Sequence, residues 1–297
     1  MLNSINSDHS YDKEKITIIL YDDCSTDTSS EIIKDFIHRH GDNYNDVIYE
    51  RGNESSGGNV ARAINRCFEL AKNTYTKYVF NIEADVVIPE DTFGSLVSLL
   101  EGDSDIGMVS VPYTYLGENQ KSIEVDITMG CAIISRKLLD SVSWKIDERF
   151  TNTNDLWLVA NAEKKGLKVL CDRTKRAGHL KPLIYKEHIR NKFFQLPHYH
   201  YLLLKDGLLT RRLLKRYVYY GTYLIIPILF LLNPFFSLLI GPVLIAGIWH
   251  YRSVRRFLYA FPVGIAMVLG IIKEALKDIA QRALQRSCTQ RISVRNR

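Results

Sequence analysis

No pair of cysteines in this sequence is spaced to hold a metal or a redox disulfide. The five, Cys24, Cys67, Cys131, Cys171 and Cys288, are odd in number and far apart, and no C-x-x-C occurs. That excludes a zinc knuckle and a thioredoxin-type dithiol and fits free thiols in a reducing compartment. The N-terminal stretch MLNSINSDHSYDKEK lacks the apolar core of a signal peptide and is expected to be poorly ordered. A large excess of either charge is also absent: 39 Lys and Arg stand against 33 Asp and Glu, a net charge of +6 over 297 residues. Much of the excess lies after residue 204, beside apolar runs. Such placement suits an anionic membrane surface and argues against nucleic acid as a partner. With 46% hydrophobic and 24% charged residues the chain is not disordered, and its length fits one α/β domain with something added.

Strand and helix patterns alternate along the first half. Residues 16–21 are a β-branched run, followed by the polar turn Asp22-Asp23-Cys24-Ser25-Thr26-Asp27. Residues 28–40 have helical spacing, with Ile32, Ile33, Phe36 and Ile37 on one face. A strand at 47–49, a loop at Gly57-Gly58 and a helix over 60–72 come next. A strand over 78–82 ends in Glu83-Ala84-Asp85, Pro89-Glu90-Asp91 opens a helix to about Leu100, and 108–111 form a fourth strand. This order predicts an α/β fold with a mostly parallel sheet and helices on both faces.

The C-terminal third has a different character. Residues 217–250 hold no Asp, Glu, Lys or Arg. One helix of that length would reach about 50 Å, too long for a hydrocarbon core of about 30 Å. Asn233-Pro234 near the middle suggests a turn between two short spans. The uncharged block 257–272 is short for a full span and reads as re-entrant or interfacial. A basic amphipathic helix is expected over 273–286. Arg211, Arg212, Lys215 and Arg216 before the first block, with Arg252, Arg255 and Arg256 after it, place both ends of the hairpin on the cytoplasmic side. The predicted location is therefore the membrane, with the folded domain cytoplasmic.

Two acidic clusters fall at strand carboxyl ends, where ligands bind in open α/β sheets. Glu83 and Asp85 can turn toward one cation, and hard oxygen ligands suit Mg²⁺ or Mn²⁺ bridging a diphosphate. Asp22 and Asp23 can accept hydrogen bonds from a base or ribose, or else cap the following turn with Ser25 and Thr26.

Asp22-Asp23-Cys24-Ser25-Thr26-Asp27 resembles the D-D-G-S-x-D turn of family-2 glycosyltransferases, which have the GT-A fold. Further matches follow in order: Asn53, Gly57-Gly58 and Ala63-Ile64-Asn65; the stretch Phe80 to Pro112; Met129-Gly130-Cys131-Ala132 with Arg136; Asp147-Glu148-Arg149-Phe150; Asn154-Asp155-Leu156; and Gly166-Leu167-Lys168-Val169. The resemblance covers about residues 16–200 and implies nucleotide-sugar binding by Asp22, Asp23, Asn65, Glu83, Asp85 and Arg190. It implies a metal at Glu83 and Asp85, joined by His179 where that histidine is not merely structural. It implies Asp155 as general base, unless that residue is only an acid suited to a helix N-terminus. Arg190 clamps a phosphate or stands among lipid head groups. The aromatic stretch Phe193-Phe194 with Tyr199 and Tyr201 marks a membrane-interface helix.

This sequence departs from the family in four places. Only about fifteen polar residues precede Ile16, so a counterpart of the family's first strand, ending P-x-Y-N, is expected either upstream of this sequence or, in a degenerate copy, not at all. Glu83 replaces an Asp, Cys24 a Gly, and Asn154 a Glu. No Q-x-x-R-W is present, which argues against processive synthesis. The expected organisation is a polar segment over 1–15, a GT-A-like domain over 16–200, and a membrane-associated helical region over 201–297. The expected activity is metal-assisted, inverting hexosyl transfer from a nucleotide-sugar donor to a polyprenol-linked or cell-surface glycan. An inactive membrane-bound relative is one alternative. A nucleotidyltransferase is another, although the G-x-G-x-R loop it would need is absent.

Overall fold

The computed structural model describes residues 1–115, 124–125, 127–151, 153–180, 191–215, 217–218, 221 and 254–295. They fall in two compact units, Met1–Leu183 and Ile184–Arg297.

The N-terminal residues are packed, not loose. Helix α1 (Leu2–Ser7) buries Ile5. Asp8 is 1% exposed, and its Oδ2 accepts the N–H groups of Thr92 and Phe93 at 2.7 and 3.0 Å. These donors open a distant helix and have no partner within it. A side chain remote in sequence therefore caps that helix. It begins at Thr92, after Asp91 in a left-handed conformation, and not at Pro89.

Strand β1 (Thr17–Asp22) lies parallel to β2 (Asp46–Arg51), with Asp22 opposite Arg51. Helix α2 (Ser29–His40) makes the crossover that a parallel pair requires. Alternation along β1 buries Ile18, Leu20 and Asp22 on one face. Helix α3 (Val60–Lys72) buries Ala61, Ile64, Phe68 and Ala71, one stripe at helical spacing. Strand β3 (Tyr78–Ile82), the short β4 (Val86–Val87), helix α4 (Thr92–Gly102), and strands β5 (Ile106–Ser110), β6 (Tyr113–Tyr115) and β7 (Glu124–Val125) follow. Then come β8 (Cys131–Ser135), α5 (Arg136–Ser141), α6 (Asn154–Lys164), β9 (Lys168–Cys171) and β10 (Ala177–His179).

The sheets are mixed, which corrects the mostly parallel expectation. The central sheet has the order β3-β8-β5-β9; β8 is antiparallel to both β3 and β5, and only β5 with β9 is parallel. A second sheet has the order β4-β10-β6-β7. Every residue of β8 is buried. A strand apolar on both faces carries no sequence mark of direction. Helices do cover both faces. Cys131 and Ile133 of β8 join one core with Phe36, Phe93, Leu96 and Leu100, whereas Ala132 and Ile134 join another with Phe68, Leu138, Leu158 and Ala162. The pleat's alternation divides the two cores.

In the second unit, the helix Leu196–Lys205 follows a π-helical turn at Asn191–Gln195, and a long helix spans Val254–Arg295. A Cβ on Gly270 would stand 2.4 Å from that of Pro197, so a glycine is required for the two helices to meet there. The apolar block 217–250 lies outside the described residues except at 217, 218 and 221. The block 257–272 forms the first half of the long helix. Among the described residues no helix is long and apolar enough to cross a membrane. The expected membrane-spanning helices therefore have no counterpart in the described part.

Candidate active site and metal centre

Glu83 is the first residue past β3. Its N–H donates to the Gly130 carbonyl at 2.9 Å, extending the β3–β8 pairing by one bond, and its carbonyl accepts Val86 N–H at 3.0 Å to close a turn. That turn presents Glu83 and Asp85 at the sheet's edge. β4 is antiparallel to β10, with His179 opposite Val86, and Leu180 N–H donates to the Asp85 carbonyl at 2.8 Å. Two strand ends distant in sequence thus bring three metal-ligand side chains together.

His179 Nε2 stands 3.7 Å from Glu83 Oε2 and 3.6 Å from Asp85 Oδ1. One ligand atom from each of the three lies within 4.8 Å of the others. Neighbouring ligands of a small divalent cation at about 2.1 Å stand about 3 Å apart, so little closure is needed to seat one. Two carboxylate oxygens and an imidazole suit Mg²⁺ or Mn²⁺. The imidazole is buried at 5% exposure, while both acids remain half-open, leaving room for a ligand's oxygens on the outer side. The Tyr113 ring, 4.9 Å from the His179 ring, backs it. Gly130 lies directly beneath Glu83, where a Cβ would come within 2.7 Å of the carboxylate. Thr128 Oγ1 and Asn81 Nδ2 fix the approach to that glycine through Gly130 N–H and the Met129 carbonyl, at 3.0 and 2.6 Å.

The second acidic cluster is internally satisfied. Asp22 is 3% exposed. Its Oδ1 accepts Ser25 N–H at 2.7 Å and its Oδ2 the Ser30 hydroxyl at 2.5 Å, with Arg51 Nε at 3.6 Å. Burial by itself would raise this carboxyl; the hydrogen bonds from Ser30 and Ser25, with the Arg51 charge, bring it down to about 2. Asp22 thus shapes the turn from below. Asp23, half-buried, grips Ser56 through its N–H at 2.8 Å and its hydroxyl at 2.6 Å, tying β1's end to the Gly57-Gly58 loop. Cys24 occupies the left-handed region at φ 61°, with Sγ 2.9 Å from the Gly52 carbonyl.

Asn65, expected at the donor, has both amide atoms on the backbone of Ile146: Nδ2 donates to its carbonyl at 2.9 Å and Oδ1 accepts its N–H at 2.7 Å. Asn59 Nδ2 donates to the Glu148 carbonyl at 3.1 Å, and Arg62 pairs with the Glu148 carboxylate at 3.0 Å. One face of α3 therefore braces the segment leading to α6. Asp155 stands half-buried in the first turn of α6 and is not one of the three clustered ligands. Arg190 lies outside the described residues. Tyr113 and Asp8 support this unit without having been singled out in the sequence, whereas Gly130, read there only as part of a strand motif, is the seat of the Glu83 carboxylate. Burial pushes the Cys67 thiol up to about 11 and the Cys131 thiol up to about 12, away from the thiolate form.

An α/β fold with mixed sheets and an acid–acid–histidine cluster at strand ends defines a GT-A-like protein. Residues 1–156 match the model of Glycosyl transferase family 2, and the chain belongs to that family. Among solved structures it is similar to S. aureus TarS residues 1–349, at 15% identity and a TM-score of 0.52, covering 71% of this chain and 61% of that one. This chain thus spans about three fifths of that structure. A proposed glucose-1-phosphate thymidylyltransferase from Bacillus anthracis, in complex with a sucrose, matches at 11% identity and a TM-score of 0.39, covering 58% of this chain and 73% of that one. A glycosyltransferase involved in glycosylation of the major capsid of PBCV-1 matches at 12% identity and a TM-score of 0.31, covering 58% and 95%. No curated protein gives a significant sequence match.

Proposed function

We propose that the protein is an inverting glycosyltransferase of hexosyl type, moving a sugar from a nucleotide-sugar donor to a polyprenol-linked or cell-surface glycan acceptor. The observation that carries this reading is the convergence of Glu83, Asp85 and His179 at the strand ends of a family-2 fold. Those three residues would hold a Mg²⁺ or Mn²⁺ ion, whose charge favours departure of the nucleoside diphosphate. The turn around Asp22 and Asp23 would receive the nucleoside, with Arg190 on the diphosphate. Asp155 would take the proton of the acceptor hydroxyl as that oxygen attacks the anomeric carbon. The bond from that carbon to the diphosphate oxygen breaks in the same step, so configuration inverts. Membrane lipid would bring the acceptor, with the catalytic domain on the cytoplasmic side.

The test is product analysis. The protein is incubated with a panel of nucleotide sugars and a polyprenyl phosphate, and the anomeric configuration of the product is read by NMR. Inverted product, with kcat lowered about 10²–10⁴-fold in Asp155→Asn, agrees with the proposal. Retained configuration sinks the single displacement. Pyrophosphate release from a nucleoside triphosphate and a sugar phosphate would instead make the protein a nucleotidyltransferase.

A further inference from the structure

The long helix Val254–Arg295 wears its polarity inside out. Its acids face inward: Glu274 pairs with His198 at 3.1 Å and Asp278 with Lys205 at 2.8 Å, both on the helix Leu196–Lys205. Val263 and Met267, buried, and Gly270, against Pro197, share that side. At about 100° per residue these five positions fall within an arc of about 80°. Opposite them lie Leu269, Ile272, Leu276 and Ile279, at 51%, 47%, 61% and 62% exposure. They too span about 80°, centred half a turn from the inward face. An ordinary surface helix turns such residues to the core.

The margins of this apolar stripe are basic. Lys273 and Lys277 follow it on one side and Arg282 on the other, all exposed, with Lys277 and Arg282 also pairing with Glu274 and Asp278 at 2.7 and 2.6 Å. Across residues 254–295 eight basic residues stand against two acidic ones. A second copy of the helix would set basic margin against basic margin. An apolar stripe between cationic margins fits an anionic bilayer: the stripe enters the acyl boundary while the long basic side chains reach the head groups.

We propose that this face, Leu269–Ile279, is a membrane-docking surface lying in the plane of an anionic leaflet. It deepens the membrane association proposed above and rests on it, but does not depend on the transfer chemistry.

The experiment uses the full chain with vesicles of brominated phosphatidylcholine, with or without phosphatidylglycerol. Leu276→Trp is compared with Gln281→Trp, an exposed position on the side of the helix opposite the apolar stripe, each corrected for the native tryptophans. The expected result is blue-shifted, bromine-quenched fluorescence from position 276 with anionic vesicles and none from 281. Lys273→Gln with Lys277→Gln should weaken partitioning about thirty-fold, since each basic residue near the surface contributes about 1 kcal/mol. Vesicle binding without quenching at 276 overturns the docking surface and leaves the broader membrane reading standing. No vesicle binding by the wild type overturns both. Equal quenching in neutral vesicles overturns the anionic assignment. A concentration-dependent blue shift at 276 without lipid makes the face a contact between copies and also overturns the proposal.

Discussion

The carboxylate of Glu83 rests on the bare Cα of Gly130, so closely that a methyl group there would meet it at 2.7 Å. Gly130 also accepts the Glu83 N–H, so a single residue sets both the backbone and the side chain of the acid. Gly130→Ala is expected to swing Glu83 off the cluster. Overpacking of this kind costs about 1–3 kcal/mol. Metal-dependent nucleotide affinity should fall about tenfold or more, with the far-ultraviolet circular dichroism unchanged. Calorimetric titration of the variant checks this, and unaltered affinity would mean that Glu83 is not a ligand.

Asp22 makes stability sensitive to acid. Its carboxyl sits at about 2 in the folded protein against an ordinary 3.8. Because the folded value is the lower one, the contribution is complete above about pH 4 and is lost as pH falls toward 2. A gap of this size corresponds to about 2 kcal/mol. Urea unfolding between pH 5 and 2 should show the loss in the wild type and a shallower one in Asp22→Asn.

Cys24 adopts a conformation that suits glycine, at φ 61°. A side chain there costs about 1–2 kcal/mol, and the Sγ contact with the Gly52 carbonyl recovers part of it. Cys24→Gly is expected to stabilise the protein by about 0.5–1 kcal/mol. Thermal melting decides, and a lowered midpoint would show that the sulfur contact outweighs the strain.

Asp8→Ala should leave the N–H groups of Thr92 and Phe93 buried without an acceptor. The cost is about 2 kcal/mol, at the upper end for a lost cap. A melting midpoint lowered by several degrees would agree, and no change would place the cap elsewhere.

The order of strands and helices was legible because each has its own hydrophobic period, as α3 shows over residues 60–72. Glu83 and Asp85 were legible because they follow a strand directly. The antiparallel setting of β8 was hidden by burial on both faces. The Asp8 cap joins residues more than eighty positions apart, and no local pattern records such a bond. Asn65 read as a ligand through its motif, yet its amide is committed to the Ile146 backbone, a partner visible only in three dimensions. The inverted polarity of the long helix was legible only in part. Its basic residues were plain, but which face looks inward is set by His198 and Lys205.

The most direct test of the central claim is calorimetric binding of a panel of nucleoside diphosphates to detergent-solubilised protein, with and without Mn²⁺. One nucleotide should bind only with the metal. Binding should be lost in Asp85→Ala and His179→Ala and kept in Asp155→Ala. Binding that ignores Mn²⁺ and survives Asp85→Ala, or the absence of binding by any nucleotide, would contradict the assignment of this cluster as the donor's metal site.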